Sequence, residues 1–395
     1  MSRPRLYVLS LGLLLTLSTL TIDVYLPAFP EIAADLGADP AQVQFTFTSA
    51  MCGMVVGQLL VGSWSDQVGR RLPIVLAIVL HASASVVCAV APNVGVLTLA
   101  RFAQGLASAA IGTVALAQVR DLHTGARMLR MLATMALVSG AAIAAGPLLG
   151  SLLLQVLSWR GVFVALASYG LLLGTIAYLV VGETLPLERR QRGGLPQRAR
   201  QFRLFLRDRI FVGLILVTGC AWAAMYTYLA SSSFVFQSVY QLSATQYGIV
   251  FASHALLMLG GTQLGARLVS RVSIPHVVVI STSGLTLSTA SMLVVSLAGS
   301  ANLIGFLIPL WVFTFFLGLN TPCIQTLALS RHADSAGAAA GLLNATRQSL
   351  GAVSTPLPAA LGSVAVSTLA VVMVGTQLLG VAILWLVVRP LRLRG

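Results

Sequence analysis

The chain has 395 residues, of which 57% are hydrophobic and only 9% are charged, and its mean hydropathy is +0.92. A soluble domain carries about a quarter of its residues charged, so this chain is too poor in charge to cover a surface that faces water. The net charge of +14 would suggest nucleic-acid binding in a soluble protein, but the basic residues, all arginine, fall in alternate loops. That distribution is typical of a membrane protein, and we expect no nucleic-acid partner.

Twelve apolar runs follow one another, each close to the ~20 residues that span a bilayer as a helix. The first six cover residues 6–28, 42–63, 73–92, 96–118, 129–155 and 160–182. The second six cover residues 210–236, 244–268, 275–298, 302–327, 337–360 and 366–388. No alternating strand pattern competes with helices, and the first run lacks a signal-peptide cleavage pattern. The sequence therefore predicts an all-α membrane protein with twelve transmembrane helices.

The runs divide into two six-helix halves of similar length. Residues 1–182 form the predicted N-terminal half, residues 183–209 a basic linker with eight arginines, and residues 210–395 the C-terminal half. Placing the N-terminus inside puts 21 of the 24 arginines in cytoplasmic segments. The positive-inside rule therefore predicts that both termini are cytoplasmic, in the cell inner membrane. The three remaining arginines are Arg101, Arg160 and Arg347, and the first outer loop carries Glu31, Asp35 and Asp39.

Asp23 and Arg101 are opposite charges inside the first and fourth spans. Each lies about five residues from the outer end of its span, which is roughly 7–8 Å deep at the rise of an α-helix. A charge at mid-membrane is costly, so such residues tend to have a partner or a function. Asp23 is a candidate proton carrier, with Arg101 tuning its proton affinity. The alternative is a static ion pair between the two helices.

The loop after the second span is the second candidate site. It reads Gly62-Ser63-Trp64-Ser65-Asp66-Gln67-Val68-Gly69-Arg70-Arg71. Its glycines permit a tight turn, Asp66 is placed to cap a neighbouring helix, and the two arginines suit carboxylates or lipid headgroups. It is either a conformational loop or an ordinary basic inner loop.

The fifth span contains a run of small residues with a proline. Gly140, Gly146, Pro147 and Gly150 allow close helix contact, and the proline is expected to kink the helix. This run is either a hinge or a tightly packed static contact.

Polar residues in the other spans are few. Arg347 is near the middle of the eleventh span. Three roles are open for it: binding the substrate, gating the two halves, or pairing with a backbone carbonyl. His81 and His254 are expected to pack or hydrogen-bond. The other candidates to line an apolar substrate pocket are Tyr25, Phe45, Phe47, Met51, Met225, Tyr226, Tyr228, Phe234 and Phe236.

The cysteines give no sign of a metal site. Cys52, Cys88, Cys220 and Cys323 lie in apolar stretches without ligand spacing, and are interpreted as buried thiols. No metal, cofactor or nucleotide-binding loop is expected.

These motifs resemble those of the major facilitator drug:proton antiporters, above all the Bcr/CflA branch of bicyclomycin and chloramphenicol/florfenicol exporters. In the loop, Gly62, Asp66, Gly69 and Arg70 match the family signature, while Trp64, Ser65 and Gln67 depart from it. The helix-4 motif is matched by Leu97, Arg101, Gln104 and Gly105. The antiporter motif of helix 5 is similar at Gly140, Gly146, Pro147 and Gly150.

The branch's helix-1 signature is similar to residues 23–28, with its embedded acid at Asp23, and Val119-Arg120-Asp121 also looks like the branch. The second half resembles the branch less closely. Its loop from Gly265 to Arg271 lacks the acidic residue of the signature, and residues 341–348 resemble a different, longer exporter group. The resemblance implies the major facilitator fold, with Asp23 and Arg101 in proton coupling.

The expected function is proton-coupled efflux of small, largely apolar drug-like compounds, including phenicol antibiotics, by alternating access of the two halves. Its expected partners are the drug, protons and membrane lipids, and we expect a monomer. A proton-coupled uptake symporter or a facilitator on the same fold is the main alternative. An intramembrane enzyme or sensor is disfavoured, because the spans offer no HExxH, carboxylate pair or Ser-His dyad.

Overall fold

A computed structural model describes residues 4–123, 125–180, 182–190, 203–298, 302–332, 335–362 and 365–390. These residues form helices and connecting turns, without a β-strand among them. The all-α prediction is thereby confirmed. Contacts divide the chain into two compact units, residues 1–198 and 199–395.

The described residues of the first unit form six long helices. They are α1 (Pro4–Asp23), α2 (Pro40–Val68), α3 (Arg71–Ala89), α4 (Val94–Leu122), α5 (Gly125–Leu153) and α6 (Trp159–Val180). A 3₁₀ turn, Leu26–Ala28, and a short helix, Phe29–Asp35, follow α1. Its closest packing is between α2 and α4, while α3 packs on α4 and α6 and α1 packs on α5.

The second unit also contains six long helices. They are α7 (Arg209–Ser233), α8 (Ala244–Leu268), α9 (Ile274–Leu297), α10 (Leu303–Ser330), α11 (Ala336–Ser354) and α12 (Val366–Ile383). A π-helical turn continues α7 at Phe234–Val239, and another continues α12 at Leu384–Val388. Within this unit α10 packs on α8 and α9, and α7 packs on α11 and α12.

Side-chain caps explain where several of these helices begin. Asp39 precedes α2 and forms a capping box with Gln42. Before α4, the Asn93 side chain accepts from the Val96 amide at 3.0 Å. Before α10, the Asn302 side chain accepts from the Gly305 amide at 2.7 Å. Such caps satisfy amides that have no partner inside the helix.

The first span is long enough to cross a membrane over Ser10–Asp35, but its helix type changes before residue 28. Its α-helix ends at Asp23, and the chain continues in a 3₁₀ turn that has Pro27 in its first positions. Proline has no amide hydrogen to donate, so it cannot continue an α-helical ladder. The break leaves Asp23 at a helix terminus.

Small residues bring helices together at the same place in both units. A methyl group at Gly105 of α4 would overlap the Ala50 carbonyl of α2, and one at Gly318 of α10 would overlap the Met258 carbonyl of α8. Close backbone approach through small residues is how membrane helices associate without a hydrophobic driving force.

Ten helices in the described residues are long and apolar enough to cross a membrane, and the bent pair Arg130–Ala142 and Ala145–Leu153 makes an eleventh. The remaining predicted span is α11, the least apolar of the twelve long helices, which carries Asn344, Arg347 and Gln348. Residues 191–202 of the predicted linker lie outside the described residues, and the boundaries of the linker stay a prediction.

Candidate functional site

Asp23 is buried at the end of α1, where its side chain meets α5. Its carboxylate forms neither a salt bridge nor a hydrogen bond with another residue that the structure describes, and 7% of the residue is exposed. A methyl group at Gly146 would lie 2.7 Å from the Asp23 Cβ and 3.6 Å from its Oδ2. One at Gly150 would overlap the Val24 carbonyl oxygen. The glycines of the helix-5 motif therefore make the space that Asp23 and Val24 occupy.

Pro147 lies between these glycines, inside α5. Gly140, by contrast, is exposed and has no atom within 4 Å of where its Cβ would be. The predicted helix-5 run thus divides into a part that contacts α1 and a part that does not. The contact at Gly146 and Gly150 has the form of tight packing, which was one of the two alternatives.

Arg101 is fully buried in α4, and its guanidinium reaches α1 without pairing with Asp23. Nη1 donates to the Thr21 carbonyl at 2.9 Å and to the side chain of Gln104. The guanidinium carbon lies 3.8 Å above the centre of the Tyr25 ring. Within the described residues, no ion pair of 4.0 Å or less joins Arg101 to Asp23. The static ion pair is therefore not the arrangement of this conformation, because carbonyl and aromatic contacts hold the arginine instead.

A polar network that the motifs did not predict extends from Arg101 into α3. The Gln104 amide donates to Ser85 Oγ at 2.7 Å, and Ser85 donates to the His81 carbonyl. Thr21 Oγ1 lies 2.9 Å from His81 Nε2. In the sequence, Gln104 belongs to the helix-4 motif, whereas Thr21, His81 and Ser85 are single polar side chains in apolar runs. Only the packing of α1, α3 and α4 joins them.

His81 is joined to α1 through Thr21. The Thr21 Oγ1 atom lies 2.6 Å from the Leu17 carbonyl oxygen and 2.9 Å from His81 Nε2. The other ring nitrogen, Nδ1, is buried without a hydrogen-bond partner. His81 thus contacts a residue two positions before Asp23 along α1.

Residues 62–68 of the predicted loop are helical and form the end of α2, so the prediction of a loop is wrong there; only Gly69 and Arg70 connect α2 to α3. This connection is a hydrogen-bonded structure around Arg70. This arginine is buried and donates to Asp66 at 2.6 Å, Asp121 at 2.8 Å and Ser65 at 2.8 Å. Asp121 also accepts from the Thr184 hydroxyl at 3.2 Å. Burial lowers the pKa of the Arg70 guanidinium, but its hydrogen bonds with the two aspartates outweigh burial and raise it. The structure therefore distinguishes this loop from an ordinary solvated basic loop.

Glu183 caps the start of α3. Its carboxylate accepts from the backbone amides of Arg70 at 2.8 Å and Arg71 at 3.2 Å. Asp66, which was expected to cap a neighbouring helix, binds Arg70 at 2.6 Å within its own turn. Although burial raises the pKa of the Glu183 carboxyl, the amide hydrogen bonds lower it overall.

Gly69 allows this contact. Its φ of +101° is in the region that favours glycine. A methyl group there would lie 2.5 Å from Glu183 Oε2. Arg71 leaves the cluster and lies 4.4 Å over the ring of Tyr178.

The candidate pocket residues fall into two groups. Phe45 is 51% exposed and Tyr226 is half-buried, whereas the other candidates are buried: Tyr25, Phe47, Met51, Met225, Tyr228, Phe234 and Phe236. Tyr228 contacts His254 Nδ1 at 3.1 Å, so both predicted histidines have hydrogen-bonding roles.

Arg347 forms a second cation–aromatic cluster with Trp222 and Tyr226, in the second unit. Its guanidinium carbon lies 3.8 Å over the Trp222 ring, and Trp222 stacks on Tyr226 at 5.6 Å between ring centres. Neither Trp222 nor this stack was predicted. A signal existed in their spacing, since residues 222 and 226 are one helical turn apart.

The four cysteines lie apart from one another in the sequence and form no disulfide. All four are free, and the described residues contain no group of three or more potential metal ligands. Cys52 is exposed, which corrects the interpretation that all four thiols are buried, because it lies on the outer face of α2.

The sequence matches the family model described as Major Facilitator Superfamily over residues 11–356. It is 32% identical over 352 residues to the uncharacterized MFS-type transporter YdgK of Bacillus subtilis, covering 88% of this chain and 87% of that one. It is 29% identical to the bicyclomycin resistance protein homolog of Haemophilus influenzae, with 90% and 89% covered. It is 27% identical to the multidrug resistance protein MdtL of Shewanella oneidensis, with 85% and 83% covered.

A solved structure has the same fold. The inward-facing, unoccupied form of a bacterial homolog of the human lysosomal transporter Spinster superposes with a TM-score of 0.76 at 17% identity, covering 99% of this chain and 98% of that one. The family match extends from α1 to the end of α11 and includes the Asp23, Arg101 and Arg70 clusters. The chain therefore belongs to the Major Facilitator Superfamily, and it is a multi-pass membrane transporter rather than an enzyme.

Proposed function

We propose that this chain exports small, largely apolar drug-like compounds in exchange for protons, as a monomer of the Bcr/CflA type in the inner membrane with both termini cytoplasmic. Relatives named for bicyclomycin and multidrug resistance support the export of drugs. Phenicol antibiotics are the first compounds to examine, on the resemblance of the motifs. Alternating access is the transport mode proposed for the two six-helix halves.

The observation that carries proton coupling is the setting of Asp23. A charged carboxylate buried without a counter-ion is costly, so protonation relieves the cost that this conformation imposes. Arg101 is anchored to Thr21 and Tyr25, close along α1 but out of salt-bridge range. A conformational change that brings the guanidinium to Asp23, or admits water, favours release of the proton.

Such a difference between states is sufficient for coupling. A ligand shifts a conformational equilibrium only by its difference in affinity for the two states. Protonation of Asp23 therefore favours the conformation with the carboxyl packed on Gly146, and deprotonation favours the other one. Arg70 and its carboxylates hold the α2–α3 loop as a rigid element that moves as a unit, which is its proposed conformational role.

The test is proton-driven efflux by an Asp23→Asn variant. We expect this substitution to remove export of chloramphenicol or florfenicol against a gradient in an efflux-deficient host, since an amide side chain cannot exchange a proton. Asp39→Asn is the matched control, because Asp39 is an exposed cap and asparagine caps a helix equally well. Unchanged proton-driven efflux by the Asp23→Asn variant would contradict the proposal.

The same assay separates the alternatives. An exporter lowers drug accumulation, and an uncoupler abolishes the effect. A proton-coupled symporter raises accumulation in an uncoupler-sensitive way. A facilitator is insensitive to the uncoupler. The resemblance of Gly140, Gly146, Pro147 and Gly150 to the helix-5 motif of antiporters is the feature that favours export.

A further inference from the structure

Arg347 is a cation in the middle of the second unit's α11. It lies eleven residues after the first residue of that helix, roughly 16 Å along the axis. Its guanidinium is stacked on Trp222 of α7, and the ring is itself fixed by a hydrogen bond from Trp222 Nε1 to Thr321 at 3.1 Å. The arginine is therefore held in a defined place.

One donor of this guanidinium is unused. Nη1 donates to Asn344 Oδ1 over a long 3.4 Å, and the Tyr226 side chain is a further hydrogen-bond partner, but Nε is buried without a hydrogen-bond partner. Stacking uses the face of the guanidinium plane and leaves the N–H groups at its edge to point outward. A buried donor without an acceptor is costly, so an occupant that accepts from this edge is favoured.

The second unit does not supply the missing acceptor from its own spans. Beyond residue 199 the sequence has two acidic residues, Asp208 and Asp334, and both precede a long helix instead of lying within one. Asp208 is engaged by Arg331 at 2.7 Å and lies 3.4 Å from His332. Asp334 is outside the described residues. The positive charge of Arg347 thus has no carboxylate beside it along the helices of its own unit.

We propose that Arg347, Trp222 and Tyr226 form a subsite for the carboxylate of an aromatic substrate. The carboxylate accepts from Nε and one terminal nitrogen of Arg347 in the two-pronged geometry that a guanidinium edge offers. The substrate ring packs on the aromatic side chains, which already stack with each other. The inference rests on the proposed export function and extends its substrates from apolar neutral compounds to aromatic acids.

The experiment compares two probes of equal shape, 2-naphthoate and the uncharged 2-naphthamide. Each tritiated probe is equilibrated by dialysis with the full-length protein in lipid nanodiscs. We expect the wild-type protein to bind naphthoate more tightly. Arg347→Gln should lose about tenfold or more of the naphthoate affinity, the loss of one charge-assisted contact, and less than twofold of the naphthamide affinity.

Two further variants make the comparison independent of folding defects. Arg347→Lys keeps the charge but not the two-pronged edge, and it should retain part of the preference for naphthoate. Arg271→Gln removes an exposed arginine outside the helices and should leave both affinities unchanged. An Arg271→Gln loss equal to that of Arg347→Gln would assign the effect to net charge and overturn the proposal.

The other outcomes are equally decisive. If Arg347→Gln loses the same affinity for both probes, the arginine only stabilises the packing of α7 and α11, and the subsite proposal is wrong. Equal affinities of the wild-type protein for the two probes would also overturn it. Efflux of neutral chloramphenicol by the same variants is measured in parallel. If the wild-type protein shows no preference for naphthoate but still exports chloramphenicol, the subsite proposal is wrong and the proposed function stands. If the protein prefers naphthoate but exports neither compound, the proposed function is wrong and the subsite proposal stands.

Discussion

Asp23 is the residue on which the proposed coupling depends, and its position is decided by what surrounds it. The carboxyl group is packed against a glycine of α5, and the nearest cation on α4 is held by other groups. Energetically, the absence of a counter-ion matters more than the depth of the residue, because pairing offsets the cost of a buried charge.

A single methyl group tests this packing. Gly146→Ala places a Cβ 2.7 Å from the Asp23 Cβ, so one of the two helices must shift. Overpacking of this kind costs about 1–3 kcal/mol, and we expect slower drug efflux together with a lower thermal midpoint. Gly140→Ala is the matched control in the same helix, because the site has open space. Equal efflux by the two variants would show that the contact has no role in transport.

The sequence predicted which residues matter at this scale better than it predicted their partners. Asp23, Arg101 and the helix-5 glycines stood out, because charges and runs of small residues are rare in apolar helices. Equal depth suggested an Asp23–Arg101 pair, but depth does not specify the direction of a side chain. The contacts of Arg101 with Thr21 and Tyr25 depend on how α1 is rotated against α4, which hydropathy does not specify.

At the level of elements, the α2–α3 loop gains its rigidity from a residue more than 110 positions away. Glu183 follows α6 and accepts from the first amides of α3, while Arg70 joins the ends of α2 and α4. The spacing of the loop residues indicated a turn, but Glu183 belonged to what the sequence showed as a plain linker. Long-range caps of this kind depend on the packing of α3 against α6.

The Glu183 cap predicts a dependence of stability on acid. Hydrogen bonds from amides hold the pKa of this carboxyl below its ordinary value of 4.5, so its contribution is complete above about pH 4.5 and is lost as the pH falls through the folded pKa. We expect the thermal midpoint of the purified protein to fall below pH 4.5, and to fall less steeply in Glu183→Gln. Glu188→Gln, at an exposed position of the same segment, should titrate like the wild type. Identical pH profiles for Glu183→Gln and the wild type would remove the cap as the cause.

At the level of the whole molecule, composition and periodicity were sufficient for the fold. Twelve apolar runs predicted the twelve long helices closely, because lipid leaves the backbone few alternatives to a helix. The exception in hydropathy, α11, is less apolar because it carries Arg347 and its polar neighbours. The breaks in the helices could not be placed as well, since the π-helical turns after α7 and α12 have no simple sequence signal.

Orientation in the membrane is a prediction that the arginine distribution makes for the entire chain. In a variant without native cysteines, Ser300→Cys should react with a membrane-impermeant thiol reagent on intact cells, because it follows the ninth span on the outer side. Arg392→Cys should react only after permeabilisation. The reverse labelling pattern would invert the proposed topology.

The position of Glu183 also has a practical consequence for engineering. The hydrogen bonds that hold the α2–α3 turn come from Glu183. Arg190 lies 3.8 Å from the same carboxylate and is the last described residue before residues 191–202, the basic stretch. A fluorescent reporter or affinity tag inserted downstream of Arg190 therefore leaves those bonds within uninterrupted native sequence. The basic stretch is accordingly the place to attach a probe without disturbing the loop that the family signature marks.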